Sequence, residues 1–267
     1  MQGVVPGEGN AMGMRNIAAR LRGYDWTAAV IELAIVVVGV LVALQVSNWN
    51  QDRIDRARAH RDYQRIHAEL LTDGKAMEQT LAFWRVVSAY GAAAIASGES
   101  GQRVAGSNWK TVLAWYQASQ LMPFELEDTT FVEMRDSGDL TLIADENLRK
   151  RLADYYRLTS TGIRANILRH DPAYRMQIRG LTPWHVQQYI WDHCFRQLDA
   201  TRQELIDCPS PVSEAEAGAL LERYRGSESL LEDLRFWMST LKVSGIVIDN
   251  THSVAKKLAA DVAAAGR

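Results

Sequence analysis

The strongest pattern in the chain is a long run of apolar residues near the N-terminus. Residues 28–46 read AAVIELAIVVVGVLVALQV, in which only Glu32 and Gln45 are strongly polar. A soluble core helix is seldom apolar on every face for so long. A cleaved signal peptide has a shorter apolar stretch and a small-residue cleavage site after it. The pattern therefore predicts one transmembrane helix over residues 24–49 that stays attached to the chain.

Aromatic residues stand at both ends of this run, where a membrane helix meets the lipid headgroups. Trp26 and Trp49 lie about 34 Å apart along a helix, which matches a hydrocarbon core about 30 Å thick. Tyr24 adds a second ring at the first end. Tyr24, Trp26 and Trp49 are therefore predicted to anchor the span at the two membrane interfaces.

The segments before the span are short and polar. Residues 1–13 are Gly-rich and aperiodic, which predicts a disordered tail, and residues 14–23 predict a basic amphipathic segment at the membrane surface. Because arginines lie on both sides of the span, the positive-inside rule does not decide its orientation. A short tail before a large soluble domain is typical of an exported domain. We therefore expect the N-terminus in the cytoplasm and the C-terminal domain outside it.

The chain after the span is predicted to be helical. Apolar residues at three-four spacing over residues 50–96 predict a helical stalk, either a packed helix or a coiled coil, that continues the membrane helix. Residues 97–107 are rich in Gly and Ser and predict a loop. Residues 108–267 carry further helical patterns and predict a helical-bundle domain with its own core.

Helix caps and stops divide this bundle. Asp145 and Ser213 stand at N-cap positions, and an acid three residues after Ser213 completes a capping-box pattern. Gly138 ends a helix. Alternating apolar residues persist only at 140–143 and 246–248, which are the two strand candidates. The predicted fold class is all-α: one N-terminal transmembrane helix, a stalk, and a helical-bundle soluble domain.

Composition narrows the function classes. Of the 267 residues, 47% are hydrophobic and 23% charged, and 30 Lys and Arg against 32 Asp and Glu give a net charge of -2. Proteins that bind nucleic acid usually carry a clear basic excess, so no nucleic-acid partner is expected. The sequence has no Walker A, zinc-protease or nucleophile-elbow motif. We therefore expect no enzyme activity, no cofactor and no metal.

Four residues of the span lie along one face of the helix. Gly39 and Ala43 each fall within about 20° of Glu32 around the axis, and Ser47 extends the line. The small residues let another helix approach closely, although small residues are also common in spans generally. Glu32 can pair with a partner's cation or carry a proton, or it can simply be reached by water near the interface. The stripe predicts association in the bilayer, as a homo-oligomer or within a larger membrane-protein complex surrounded by lipid.

Two cysteines and one aromatic group are the remaining candidates. Cys194 and Cys208 are either free or joined in a disulfide, because the tight spacing typical of zinc ligands is absent. The aromatic group lies at helical spacing, which is more typical of a bundle core than of a ligand pocket. Its members are Trp184, Tyr189, Trp191 and Phe195.

Two stretches of the chain form recognisable blocks. Residues 31–50 read IELAIVVVGVLVALQVSNWN: a Glu, an aliphatic run with one Gly, then Ala-Leu-Gln and Asn-Trp-Asn. Residues 130–143 read TFVEMRDSGDLTLI, a helix that ends in Ser-Gly before a short aliphatic turn. Both blocks resemble an uncharacterised family of bacterial single-span membrane proteins, whose domain has no known function. The resemblance implies an anchored helical domain of the bacterial inner membrane, and an exported domain would then lie in the periplasm. It supplies no catalytic residues.

The sequence leaves two function hypotheses. The first is a membrane-anchored helical interaction or accessory module that acts through association in the bilayer and through its soluble domain. The alternative is a membrane-tethered domain that senses or binds a small ligand, with the aromatic group as its pocket.

Overall fold

The computed structural model describes residues 26–122, 126–159, 171–199 and 202–266. In these ranges eight α-helices hold most of the residues, which confirms the all-α prediction. The helices are α1 (Trp26–Ser100), α2 (Asn108–Gln117), α3 (Thr129–Ser137), α4 (Glu146–Arg157), α5 (Ala173–Leu181), α6 (Trp184–His193), α7 (Glu214–Arg225) and α8 (Leu230–Ala265). Two short strands, β1 (Phe195–Gln197) and β2 (Gln203–Leu205), pair as an antiparallel hairpin between α6 and α7.

The chain divides into two compact units, Met1–Ala57 and Arg58–Arg267. Within the second unit, Ile66, Met77 and Trp84 of α1 are buried in the same core as the later helices. The predicted boundary between a stalk at 50–96 and a bundle that begins at 108 is therefore wrong, because α1 is a bundle helix from residue 58 onward. Three-four apolar spacing is common to coiled coils and to bundle helices, so the pattern alone could not separate them.

The core of the second unit is built around α2, in which every residue from Thr111 to Gln117 is buried. A helix that is buried on all sides needs apolar residues on all sides, and α2 supplies Trp115 and Tyr116 among the largest fully enclosed side chains. α8 instead buries one stripe, which includes Leu234, Leu241 and Ile248. Burial of a single stripe is typical of a helix on the outside of a bundle.

The predicted helix ends are confirmed where the sequence supplied a capping side chain. Asp145 Oδ1 accepts hydrogen bonds from the backbone N–H groups of Asn147 at 2.9 Å and Leu148 at 3.1 Å. Ser213 forms the complete capping box of α7. Gly138 ends α3 with φ 82°, a left-handed conformation that glycine adopts without strain.

Both strand candidates are wrong. Residues 140–143 lie largely in a 3-10 turn, Asp139–Leu142, and residues 246–248 lie inside α8. The strands that form are three residues long, and Phe195, which the sequence suggested as a helical residue, pairs with Leu205 in the hairpin. Alternation over three residues is too short to distinguish from a helix by pattern.

The loop predicted at 97–107 begins later than expected. α1 continues to Ser100, and Gly101 then ends it with φ 73°. A 3-10 turn, Val104–Gly106, follows. The predicted tail (1–13), the amphipathic segment (14–23) and Tyr24 lie outside the described residues.

Candidate functional site

The first candidate is the apolar stretch of α1. Among the described residues, α1 is the one helix long and apolar enough to cross a membrane, and no side chain of that stretch is buried in the protein. Trp26 and Trp49 are both exposed at its ends. A surface so apolar and so long requires a nonaqueous neighbour or a partner.

The association stripe keeps its geometry because α1 is continuous through it. Glu32, Gly39, Ala43 and Ser47 are all exposed. A Cβ built on Gly39 would meet nothing within 4 Å. The small residues therefore leave a shallow groove, which can receive another helix at close range.

Cys194 and Cys208 form a disulfide that closes the β1–β2 hairpin. Neighbouring helices hold the backbone on both sides of the bridge. Gln117 Nε2 donates to the carbonyl of Cys194 at 2.9 Å, and Trp109 Nε1 donates to the carbonyl of Cys208 at 3.0 Å. The bridge thus closes the hairpin, and the two hydrogen bonds hold it against the buried helix α2.

The predicted aromatic group does not converge on one pocket. Tyr189 contacts Trp109 edge-to-face, with ring centroids 6.2 Å apart, and stacks on His193 at 4.2 Å. Trp184 is exposed at the start of α6. These two residues therefore line no common site.

Trp191 and Phe195 form a separate contact. Their rings meet edge-to-face at 4.8 Å, and the guanidinium of Arg179 lies 5.2 Å from the Trp191 ring centroid. Burial and the nearby Arg179 lower the pKa of Arg175 to about 10. The two arginines donate to Ser119 and Gln120 just after α2, so their roles are to hold the end of that helix.

A cluster of carboxyl and phenol groups, which the sequence did not predict, lies where α1 meets α3 and α4. Glu69 Oε1 accepts the backbone N–H of Thr130 at 3.0 Å and its hydroxyl at 2.6 Å. Asp128, the residue at the N-cap position of α3, makes no capping bond with its side chain. A carboxylate of α1 therefore caps α3 from outside that helix.

Asp73 lies one turn further along the same face of α1 and is buried, whereas Glu69 is partly buried. Its carboxyl group accepts the backbone N–H of Glu127 at 2.8 Å and the hydroxyl of Tyr155 at 2.7 Å. Burial raises the pKa of Asp73 to about 6, although both hydrogen bonds act in the opposite direction. One sequence signal was visible, since Asp73 continues the three-four apolar spacing of Ile66 and Leu70.

The cluster includes two buried atoms that no described residue satisfies. The hydroxyl of Tyr156 and the second carboxylate oxygen of Glu69 have no hydrogen-bond partner. Burial, together with the charges of Glu69 and Asp73, raises the pKa of Tyr156. The cluster can bind and release a proton at Asp73, but Tyr156 stays a neutral phenol.

Two cavities lie beside α8. One, of about 440 Å³, separates it from α1 and is lined by Trp84, Ser88, Lys242 and Asp249 among others. The other, of about 400 Å³, separates it from α4 and is mostly apolar, with walls from Tyr155, Leu158, Val254 and Leu258. Among the described residues, no group of three or more His, Cys, Asp or Glu side chains could hold a metal ion.

Comparison of the chain with family models, curated proteins and solved structures gives no match. The resemblance of residues 31–50 and 130–143 to a family of single-span proteins therefore stays a prediction. The function has to be inferred from the geometry of the molecule itself.

Proposed function

We propose that this chain is a single-span protein of the bacterial inner membrane whose helical domain acts as a non-enzymatic interaction or accessory module. The observation that carries the proposal is the apolar stretch of α1, which is long enough to cross a bilayer and buries no side chain in the protein. The anchor's resemblance to the single-span family supports the same assignment. Its proposed partners are membrane lipid, which surrounds the span, and a second membrane helix, which belongs to another copy of the chain or to another membrane protein.

The disulfide supports a periplasmic position for the domain. Cys194 and Cys208 lie at bonding geometry, and such bonds persist in oxidising compartments but not in the bacterial cytoplasm. Alkylation of intact cells, followed by mass spectrometry without reduction, tests this. We expect both cysteines to be bridged and unmodified. Alkylated cysteines in protein from growing cells would show that the bridge is open and would remove this support for a periplasmic position.

Association through the anchor stripe is tested by replacing its small residues. Gly39→Leu and Ala43→Leu should each reduce crosslinking of the chain to itself or to another membrane subunit, because Leu fills the groove that a helix would occupy. Ala34→Leu is the matched control, since Ala34 faces the opposite side of the helix. Equal crosslinking by all three variants would contradict association through this face.

A second candidate function is binding of a small apolar ligand. The cavity of about 400 Å³ between α4 and α8 favours it, because its size and mostly apolar walls suit such a molecule. A ligand that binds there should raise the unfolding temperature of the full chain, and Val254→Trp should abolish that rise by filling the cavity. A rise that persists in Val254→Trp would place the ligand elsewhere.

A further inference from the structure

The outer face of α8 carries an apolar stripe that is largely exposed among the described residues. Its residues recur at intervals of four, three, four, three and four, the a/d spacing of a coiled coil. Phe236 is 76% exposed and Val243 59%, and Val247 and Val254 are exposed as well. The stripe consists of Phe236, Thr240, Val243, Val247, Asn250 and Val254. At the C-terminal end of the stripe, Asn250 and Val254 also line the groove between α8 and α4.

This stripe is separate from the face that α8 buries in its own bundle. The buried residues Trp237, Leu241 and Ile248 lie about 120° further around the helix. Ile246, also exposed, lies on the other flank of the stripe together with Ser239 and Ser253. No residue of the stripe itself is charged. Charged side chains lie at its edges: Lys242 and Asp249 line the groove beside Ile246, and Arg151, Asp154 and Lys257 line the groove beside Val254.

The order of residue types makes the stripe complementary to itself. Its six positions are apolar, polar, apolar, apolar, polar and apolar, a pattern that is the same in both directions. A second copy paired parallel places Thr240 on Thr240 and Asn250 on Asn250, and a second copy paired antiparallel places Thr240 on Asn250. In both cases each polar side chain meets a polar one, whereas a uniformly apolar partner would leave the Asn250 amide unsatisfied.

We propose that the α8 stripe binds the α8 stripe of a second copy of this chain across a two-fold axis. This inference rests on the proposed function in one respect: both copies must be anchored in the same membrane. A two-fold interface requires a surface that complements itself, and the palindromic pattern provides one.

The size of the stripe is consistent with pairing of anchored molecules. From the exposed fractions of Phe236, Val243, Val247, Val254 and Ile246, complete burial of these residues would remove about 500 Å² on each chain, or about 1,000 Å² in total, which is at the lower end for a specific interface. Confinement to a membrane raises the effective concentration of the second copy. A small interface is therefore sufficient for two anchored chains.

Cysteine crosslinking of the full-length chain in membranes tests this proposal. Chains carrying Phe236→Cys, chains carrying Val254→Cys and an equal mixture of the two are oxidised and separated without reduction. Parallel pairing gives a homodimer from each variant alone, and antiparallel pairing gives a dimer only from the mixture. The yield of either dimer should exceed the yield of crosslinked dimer from Ala260→Cys by at least about ten-fold, because proximity of the two thiols sets the rate. Ala260 is an exposed control position that lies off the stripe.

Two further variants distinguish pairing through the α8 stripe from association through the anchor. Val243→Lys, at an exposed position, should leave the unfolding temperature unchanged and abolish the stripe dimer. Ala43→Cys reports association of the anchor in the same membranes. Absence of any stripe dimer, or crosslinks only to a protein of another mass, would overturn this proposal. If Ala43→Cys still crosslinks in that case, association through the anchor stands.

Discussion

Asp73 makes the stability of the helical domain depend on pH, and Asp73→Asn tests this. Burial raises the pKa of this carboxyl group from 3.8 to about 6. Between these two values the folded chain binds a proton that the unfolded chain has released. The free energy of unfolding therefore falls as the pH rises through this window and becomes constant above about pH 7.

The size of the effect follows from the two pKa values. For a group with a pKa of about 6 when folded and 3.8 when unfolded, stability at about pH 5 exceeds that at about pH 7.5 by about 1.4 kcal/mol. Asp73→Asn cannot titrate, so it should lose this increment. When the pH is lowered from about 7.5 to about 5, the free energy of unfolding of the wild-type chain should therefore rise by about 1.4 kcal/mol more than that of the variant. The other titrating groups contribute equally to both chains and cancel in this difference.

Urea unfolding of the detergent-solubilised full chain measures this difference. Tryptophan fluorescence is a suitable signal, because Trp84, Trp115 and Trp237 are buried in the domain. Asp192→Asn, at an exposed position on α6, is the matched control and should follow the wild type at both pH values. If Asp73→Asn shows the same change with pH as the wild type, the Asp73 carboxyl group is not buried in the native protein.

Three other predictions concern the fold. Replacing Cys194 and Cys208 by Ser should lower the free energy of unfolding by about 2–4 kcal/mol in a chemical-denaturation assay, because the bridge restrains the unfolded chain; no loss would mean that the bridge is open in the native protein. Leu152→Ala removes a fully buried side chain and should lower the free energy of unfolding by about 2–5 kcal/mol. Leu71→Ala, at an exposed position, should change it by less than about 0.5 kcal/mol. Equal losses of stability in the two variants would refute the assignment of the core. Ser213→Ala removes the capping box of α7 and should cost about 1 kcal/mol in the same assay, and a neutral result would show that the cap is redundant.

Local signals in the sequence predicted much of the fold. The apolar run from residue 28 predicted the helix that, among the described residues, is long and apolar enough to cross a membrane. Asp145, Ser213 and Gly138 marked helix ends that the structure confirms. These signals act within one helical turn, so a single sequence contains all the information they need. The length of the stalk could not be predicted, because whether an apolar stripe faces a second copy or the same chain depends on distant residues.

The candidate sites were less predictable for the same reason. The cap that Glu69 gives to Thr130 and the hydrogen bond between Asp73 and Glu127 join residues far apart in sequence. Only the anomaly of an acid at an apolar position pointed to Asp73. The stripe on α8 was hidden because its residues belong to the same apolar helix that fills the core, and only the packing shows which of them remain outside.

The disulfide has a consequence for the biogenesis of the protein. Cys208 lies late in the chain, so the disulfide cannot form until translation has passed that residue. If the domain is exported, both thiols must also reach an oxidising compartment before they can be joined. Before that moment the hairpin is held by noncovalent contacts only, among them the β1–β2 pairing and the hydrogen bonds of Gln117 and Trp109. A newly made chain would therefore be most vulnerable to proteases in this interval, and purification with thiol reductants would return the mature protein to the same weakened state.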